Sequence, residues 1–251
     1  MSNINTANST ANPQAPLAGQ VALITGSSRG IGKAISKKLA LLGASVCLCG
    51  RHPEALDATA REFAEFSSRV LALPADVTSF RDVSSLVQTT EEKLGPITLL
   101  VNNAGIGKPG FGPVQDKSDT DWDLVLNTNL KSVFLVSRAV APLMIQRRRG
   151  DIINISSLAG KYTFAGGGIY CASKWGILGL SGCMAEDLRA YGIRVSVICP
   201  GSVATEFSGR GPKDPAKALT PDDVAHAVAM LALQGPQSFI SEVHLRPVSK
   251  P

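Results

Sequence analysis

Tyr170 and Lys174 are the two residues whose types and spacing most directly suggest acid–base chemistry. They are four residues apart, so in a helix both side chains lie on one face with Cβ atoms about 5–6 Å apart. A free tyrosine has a pKa of about 10, and an ammonium at ~4 Å favours the phenolate by about 4 kcal/mol at an effective dielectric constant of about 20. This corresponds to about three pKa units before desolvation opposes it. Such a tyrosine can exchange a proton near neutral pH, although the same spacing also occurs on solvated helix surfaces.

The composition indicates one folded domain that binds neither nucleic acid nor a membrane. The chain has 251 residues, of which 44% are hydrophobic, so it suits a large α/β domain and is not globally disordered. Its formal net charge of +5 is spread out, except at Arg147, Arg148 and Arg149, and forms no basic stripe for nucleic acid. No apolar run reaches about 18 residues, so no membrane span is expected.

The five cysteines predict neither disulfides nor a metal site. Their number is odd, no pair has the C-x-x-C spacing, and four of them lie in or beside apolar runs. We therefore expect small buried side chains in a reducing compartment, which we take to be the cytoplasm.

The segments that must position the Tyr–Lys pair alternate between strand and helix patterns. Apolar, β-rich runs predict strands at 20–25, 45–49, 69–73, 97–101, 151–155, 193–199 and 239–245. Helical periodicity and end signals predict helices at 31–42, 53–66, 79–94, 118–149, from Tyr170 to Ala190, and from 220 onward. This alternation predicts an α/β protein with a single-domain Rossmann-type fold, in which helices flank both faces of a doubly wound parallel sheet of about seven strands.

The predicted domain covers residues 19–247. Residues 1–18 are uncharged and rich in Asn, Ser, Thr, Ala and Pro, without the features of a secretory signal, so we expect a disordered tail. Residues 206–219 are polar and rich in Gly, Pro and Lys, which predicts a short mobile flap beside the substrate site. Residues 248–251 form a short C-terminal tail.

A glycine loop connects the first strand to the first helix. Gly26, Gly30 and Gly32 have the spacing G-x-x-x-G-x-G, with Ser28 and Ile31 among the intervening residues. Glycines allow the backbone to approach a pyrophosphate, and the N-terminus of the following helix offers free N–H groups and a positive dipole end. The loop could be an ordinary strand-to-helix turn, but its position after the first strand favours a nucleotide site.

Two arginines favour NADP(H) as the dinucleotide. The second strand ends at Gly50-Arg51, where an acidic residue would bind a ribose 2′-hydroxyl, and no acidic residue precedes Glu54. Arg29 lies inside the glycine loop, so it and Arg51 can converge on a 2′-phosphate. The alternative is that both arginines are solvated surface residues.

Several motifs occur together in the order typical of one family. They are Thr25-Gly26-x-x-x-Gly30-x-Gly32, Asn102-Asn103-Ala104-Gly105, Ser157, Tyr170-x-x-x-Lys174 and Pro200-Gly201. On these motifs the chain resembles the short-chain dehydrogenases/reductases over essentially all of residues 19–247. The resemblance implies a homodimer or homotetramer, although the chain lacks the Gly-Gly pair that follows the last strand in many relatives.

The resemblance also implies roles for four polar residues. Tyr170 is expected to be the catalytic acid/base, and Lys174 to lower its pKa and hold the nicotinamide ribose. Ser157, thirteen residues before the tyrosine, is expected to bond the substrate oxygen; its neighbour Ser156 could equally be the turn-forming serine of that strand end. Asn129 matches the asparagine that anchors a water linking Lys174 to solvent, which leaves Asn127 a structural role.

The remaining implied residues line the cofactor crevice. Asp76 and Val77 match a pair beside the adenine, and Val203 and Thr205 match positions that meet the nicotinamide carboxamide. The complete expected set for the cofactor is Gly26, Ser28, Arg29, Gly30, Ile31, Gly32, Arg51, Asp76, Val77, Asn103, Ala104, Gly105, Tyr170, Lys174, Pro200, Gly201, Val203 and Thr205.

Three functions are compatible with these residues. The first is NADPH-dependent reduction of ketones, aldehydes or 3-oxo acids, with a small carbonyl or alcohol as partner. The second is 3-oxoacyl-[acyl-carrier-protein] reduction, for which Arg147–Arg149 and the flap lysines would provide a basic surface, unless they are merely solvated charges. The third is a dinucleotide-sensing or scaffold protein without activity, which should lack a catalytic residue, whereas all four expected residues are present.

Overall fold

The computed structural model describes residues 15–65, 69–208 and 217–249, and its centre is a parallel sheet of seven strands in the order β3-β2-β1-β4-β5-β6-β7. Each neighbouring pair is parallel, so the predicted doubly wound Rossmann-type sheet is confirmed. The strands are Val21–Thr25 (β1), Ser45–Gly50 (β2), Val70–Pro74 (β3), Leu99–Asn102 (β4), Gly150–Ile155 (β5), Ile193–Pro200 (β6) and Glu242–Leu245 (β7).

Helices cover both faces of the sheet, and each face has its own hydrophobic core. Residues of α1, α2 and α7 contribute to one core, and residues of α3, α5 and α6 contribute to the other. The central strands are buried on both sides, which explains their uninterrupted apolar sequences. The helices are Gly30–Leu41 (α1), Pro53–Ala64 (α2), Phe80–Leu94 (α3), Asp119–Leu126 (α4), Ser132–Arg147 (α5), Gly168–Arg189 (α6) and Pro221–Ala232 (α7).

One π-helical turn interrupts the long helix that the sequence predicts over 118–149. The turn spans Asn127–Lys131 and separates α4 from α5. Asn129 lies inside it with its amide buried, where Oδ1 accepts from the Ile106 N–H at 2.7 Å and Nδ2 donates to the Ile106 carbonyl at 2.9 Å. The prediction of one regular helix is therefore wrong at this turn. The Asn129 side chain there forms hydrogen bonds with the main chain of the loop that contains Ile106.

The start of the domain lies earlier than the sequence predicts. Leu17 is 3% exposed and belongs to the core beneath α1 and α7, and its N–H donates to the Leu42 carbonyl at 2.9 Å. The prediction of a disordered tail is wrong for residues 15–18, because Leu17 enters the core and main-chain hydrogen bonds hold the segment beside the end of α1. Residues 1–14 lie outside the described part of the chain.

The last strand is shorter than the predicted run 239–245. It begins at Glu242 because the Ile240 N–H donates to the Gln234 side chain at 2.9 Å and the Ile240 carbonyl accepts from the Ser196 hydroxyl at 2.7 Å.

Four of the five cysteines are buried as predicted, whereas Cys183 is exposed on α6. Within the described ranges, the helices are all too short or too polar to span a membrane.

Candidate active site

The strand order reverses between β1 and β4, and polar bonds join the carboxyl ends of these two strands. Thr25 Oγ1 accepts from the N–H groups of Asn103 and Ala104, both at 3.0 Å. In return, Asn103 Nδ2 donates to the carbonyls of Thr25 at 2.9 Å and Gly26 at 3.1 Å. Ligands of open α/β sheets bind where such a reversal opens a crevice. These hydrogen bonds therefore hold in place the two strand ends that border a candidate site.

The glycine loop forms the floor of this crevice, and its glycines are required by close contacts. A Cβ on Gly32 would lie 2.2 Å from the Gly26 carbonyl oxygen. Gly26 itself has a φ of +67°, and a Cβ there would lie 2.9 Å from Ala104 Cα. Helix α1 begins at Gly30, and the Arg29 side chain makes no capping bond to it. Its first N–H groups are thus the free donors that favour a phosphate.

Both candidate phosphate-binding arginines are exposed beside the loop. Arg29 Nη1 lies 3.4 Å from Glu206 Oε2, and both side chains are more than four-fifths exposed, so the ion pair is weak. Arg51 follows β2 directly. Both guanidinium groups are therefore free to reorient towards an anion.

Asp76 and Val77 follow the carboxyl end of β3, as their expected role requires. Asp76 Oδ1 accepts from the Thr78 N–H at 2.9 Å and the Thr78 hydroxyl at 2.8 Å. Val77 is buried. The carboxylate thus shapes its own turn, and the pair lies at the edge of the crevice.

Tyr170 and Lys174 lie one turn apart on α6, as the spacing predicts. Lys174 Nζ is 5.8 Å from the centroid of the Tyr170 ring and donates to the Ile155 carbonyl at 3.1 Å. Tyr170 is 9% exposed and Lys174 is 4% exposed. The acid–base pair therefore lies at the carboxyl end of β5, almost out of contact with water.

This burial reverses the predicted effect on the tyrosine. Desolvation raises the pKa of Tyr170 to about 12, and a hydrogen bond with Ser157 opposes the rise. Desolvation likewise lowers the pKa of Lys174 to about 8. The prediction that Lys174 brings the pKa of Tyr170 below its ordinary value is wrong for this structure, because the site disfavours both the phenolate and the ammonium.

The two serines after β5 point to different partners. The Ser156 hydroxyl is buried and donates to the Lys174 carbonyl at 2.9 Å. Ser157 is partly exposed, accepts from the Ala159 N–H at 3.1 Å and interacts with the Tyr170 phenol. Ser156 thus anchors α6, and Ser157 is the serine that faces the phenol.

Asn129 and Lys174 lie on either side of Gly105. A Cβ on Gly105 would lie 3.2 Å from Asn129 Oδ1 and 3.7 Å from Lys174 Nζ, so Gly105 separates the two side chains. Asn129 Nδ2 also donates to Ser173 Oγ at 3.1 Å on α6. Asn127 is only half-buried and lines a groove on the outer side of the helices.

The segment after β6 forms the opposite wall of the crevice. The Pro200 carbonyl faces the Ser157 hydroxyl at 3.4 Å, and the Gly201 N–H donates to Leu245 at 2.8 Å. Val203 is buried and bridges to Leu219, which joins the segment before the predicted flap to the last residue of the flap. The Thr205 methyl lies 3.6 Å from the position of a Cβ on Gly30, so this wall reaches the glycine loop. Residues 209–216 of the flap lie outside the described residues.

Two groups of residues beside the site carry no signal in the sequence. Phe111 and Phe207 pack against the Tyr170 ring at 5.1 and 5.9 Å between centroids, and no sequence spacing links them. Cys199, Glu242 and His244 also come together, with their ligand-type atoms within 4.8 Å of one another. Glu242 Oε2 already pairs with Lys161 at 2.9 Å, so this group serves as an ion-paired contact between β6, β7 and the loop after β5.

The arginine run lies at the opposite edge of the sheet from the crevice. Arg147–Arg149 precede Gly150, where β5 begins, whereas Ser157 follows its end, about 20 Å away for a strand of this length. Arg147 pairs with Glu91, and Arg148 donates to the Ala190 carbonyl at 3.0 Å. These contacts favour the simpler interpretation, that the arginines are favourable charges at the C-terminus of a helix.

The crevice, its glycine loop and the Ser–Tyr–Lys group define a class of dinucleotide-dependent oxidoreductases. The short chain dehydrogenase family model matches residues 20–215, and the chain belongs to this family. The resemblance stated from the sequence motifs is therefore confirmed.

Three known proteins illustrate the relationship. The chain is 34% identical to a 3-oxoacyl-[acyl-carrier-protein] reductase of Synechocystis sp., over 90% of this chain and 94% of the relative. It is 39% identical to the gluconate 5-dehydrogenase of Gluconobacter oxydans, over 77% of this chain and 75% of the relative. The crystal structure of a metagenomic short-chain oxidoreductase in complex with NADP shares the fold with a TM-score of 0.82 and 44% identity, over 93% of this chain and 99% of that chain.

Replacing Lys174 by Met tests the energetic effect of the buried amine. Burial lowers its pKa from 10.5 to about 8, so between these pH values the unfolded chain binds more protons than the folded chain, and stability rises with pH. Across this interval the free energy of unfolding of the wild type should rise by about 3 kcal/mol relative to that of Lys174→Met.

Urea unfolding at several pH values measures this difference. Lys93→Met removes an exposed lysine on α3 and should leave the pH dependence of the wild type unchanged. A difference between the wild type and Lys174→Met that does not vary with pH would contradict the predicted shift.

Proposed function

We propose that this protein is an NADPH-dependent reductase that converts a ketone, an aldehyde or a 3-oxo acid or ester into an alcohol. The observation that carries the proposal is the meeting of Ser157, Tyr170 and Lys174 at the closed end of a crevice whose floor is a glycine loop. The similarity to a 3-oxoacyl reductase supports the same type of reaction.

The side chains of the site fit the charge that develops during reduction. When bound, NADPH supplies a hydride to the carbonyl carbon, so negative charge grows on the carbonyl oxygen. The Ser157 hydroxyl and the Tyr170 phenol donate hydrogen bonds to that oxygen, and such a donor contributes about 2.7–4 kcal/mol in other enzymes. Tyr170 then transfers its proton to the oxygen and completes the alcohol.

Lys174 and Asn129 support the proton donor. A tyrosine whose phenolate is disfavoured by burial is held as the neutral acid, which is the form that reduction requires. The Lys174 amine lies beside it and stabilises the phenolate once the proton has left. Asn129 holds the Ile106 main chain and Gly105 against Lys174, and a water relay from Lys174 to solvent is proposed along this side.

The residues around the crevice fit NADP(H). The glycine loop leaves the space that a side chain would fill, and the free start of α1 favours a pyrophosphate. Arg29 and Arg51 are the proposed partners of the 2′-phosphate, and the residues directly after β2, Arg51 and His52, include no carboxylate that would repel it. The 44% identical metagenomic oxidoreductase was crystallised with NADP.

A second candidate is 3-oxoacyl-[acyl-carrier-protein] reduction, which the Synechocystis relative supports. Its substrate carries the same carbonyl chemistry on a thioester-bound chain. Kinetic comparison of an acetoacetyl thioester with free ketones separates the two candidates, since failure to reduce the thioester would remove this one.

Replacing Tyr170 by Phe should reduce kcat by about 10²–10⁴-fold, because the variant keeps the ring but has no proton to donate. NADPH binding, measured by fluorescence titration, should change little. Tyr191→Phe alters a partly exposed tyrosine near the end of α6 and should retain full activity. Unchanged turnover by Tyr170→Phe would exclude the proposed mechanism.

Replacing Arg51 by Ala should raise KM for NADPH by about 10–100-fold, the effect of losing a hydrogen bond to a charged group. KM for NADH should not rise, because NADH has no 2′-phosphate. Arg61→Ala, on the neighbouring helix α2, provides a matched control. A wild-type enzyme that prefers NADH would contradict the assignment of Arg51.

We also propose that the protein is a homodimer or a homotetramer through the outer face of α4, α5 and α6. Trp122, Phe134 and Trp175 are 49%, 44% and 48% exposed there, beside a groove lined by apolar side chains, among them Leu126, Leu130 and Leu180. A grouping of large apolar side chains at a surface is typical of an interaction site.

A charge in this face should dissociate the oligomer. Light scattering coupled to gel filtration should give a dimeric or tetrameric mass for the wild type and a smaller mass for Trp175→Glu, because the buried carboxylate would have no partner. Leu41→Glu changes a similarly exposed residue on α1 (52%) and should not alter the mass. A monomeric wild type would contradict the proposal.

A further inference from the structure

Two phenylalanine rings pack against the ring of Tyr170, and a third phenylalanine packs against one of them. The ring centroid of Phe111 lies 5.1 Å from that of Tyr170, and the centroid of Phe207 lies 5.9 Å from it. Phe164 extends the group, with its centroid 6.2 Å from that of Phe111. We call Phe111, Phe164 and Phe207 the aromatic cluster. Its members belong to the segments after β4, β5 and β6, so three separate parts of the chain converge on the proton donor.

Two glycines make room for the rings of the cluster. A Cβ on Gly107 would lie 2.7 Å from the Phe111 ring and 2.8 Å from the Phe207 ring, and a Cβ on Gly167 would lie 2.8 Å from the Phe164 ring. Neither glycine has a positive φ, so the backbone conformation does not require glycine at these positions. Their missing side chains instead allow the rings to approach, and the cluster is a closely packed feature of the structure.

Part of the aromatic cluster is open to solvent. Phe207 is 41% exposed although it packs against the buried Tyr170 ring, and Phe164, which packs against Phe111, is 50% exposed. Single exposed apolar side chains are ordinary, whereas a group of aromatic rings at a reactive hydroxyl is typical of a ligand site. A bound molecule with a flat apolar part would cover these ring surfaces.

The chemistry of the rings selects among carbonyl compounds. Phenylalanine offers no hydrogen-bond donor or acceptor, so a polyhydroxylated acid such as gluconate would leave its hydroxyl groups unpaired against this wall. The rings of the cluster and of Tyr170 meet at interplanar angles of 48°, 57° and 62°, the tilted arrangement that aromatic pairs prefer. A further aromatic ring can join this arrangement with the same geometry.

We propose that the aromatic cluster is the wall of the substrate site and that the preferred substrates are ketones or aldehydes with an aromatic ring attached to the carbonyl group. The inference rests on the proposed reductase function. The reaction is unchanged: the carbonyl carbon gains the hydride of NADPH, the oxygen gains the Tyr170 proton, and the products are an aryl alcohol and NADP⁺.

A pair of substrates of similar size tests the aromatic preference. Acetophenone and cyclohexyl methyl ketone have the same carbon skeleton but differ in the aromaticity of the ring. The wild type should reduce acetophenone with a kcat/KM about 2- to 10-fold higher, the factor expected from aromatic contacts beyond apolar burial. In Phe164→Leu and Phe207→Leu this ratio should fall towards one, mainly through a higher KM for acetophenone.

Two control variants separate the cluster from general effects of losing a ring. Phe80→Leu removes a more exposed phenylalanine at the start of α3 and should leave the ratio unchanged. Phe207→Tyr retains an aromatic ring at the wall and should also keep the ratio. NADPH titration of each variant verifies that the cofactor crevice is intact.

The outcomes distinguish this inference from the function on which it rests. A wild-type ratio at or below one, or an equal fall in Phe80→Leu, would overturn the aromatic preference while leaving the reductase function in place. If the wild type reduced neither ketone and no member of a broad panel of carbonyl compounds with NADPH, the proposed function itself would be overturned.

Discussion

The reciprocal hydrogen bonds between Thr25 and Asn103 are the constraint on which the site depends. They join the ends of β1 and β4 where the strand order reverses, and a reversal without such bonds would leave two loops free to separate. Because Asn103 also bonds the Gly26 carbonyl, the same contacts hold the glycine loop in position. The crevice and the glycine loop are therefore held together as one structural unit. This unit forms when the central strands β1 and β4 pair.

Burial has opposite effects on the two members of the acid–base pair. It keeps Tyr170 protonated and weakens the positive charge of Lys174. The proposed reduction needs a neutral acid before hydride transfer and a stabilised phenolate after it, and burial favours the first of these two states. The nearby Lys174 amine can stabilise the phenolate. The helical spacing of the two residues places this amine beside the phenol that loses its proton.

Local patterns predicted the sheet, the glycine loop and the Tyr–Lys helix, because each is determined by residues close together in sequence. Features that depend on distant segments were not predictable in this way. The burial of Leu17, the π-turn around Asn129 and the contacts of Phe111 and Phe207 with Tyr170 all arise from packing between elements. The pKa of Tyr170 departs from the sequence prediction for the same reason, since the charge of Lys174 can be read from the sequence but the desolvation cannot.

The origin of the aromatic cluster in three separate segments has an evolutionary consequence. Tyr170, the proposed proton donor, and Lys174 belong to helix α6, which packs on the sheet, whereas the phenylalanines lie in the connections after the strands. Exchange of one connection between related genes can therefore change which molecules are accepted without disturbing the reacting groups. Selection can act on molecular recognition and on catalysis independently, which allows one scaffold to diversify among substrates while its central reaction is retained.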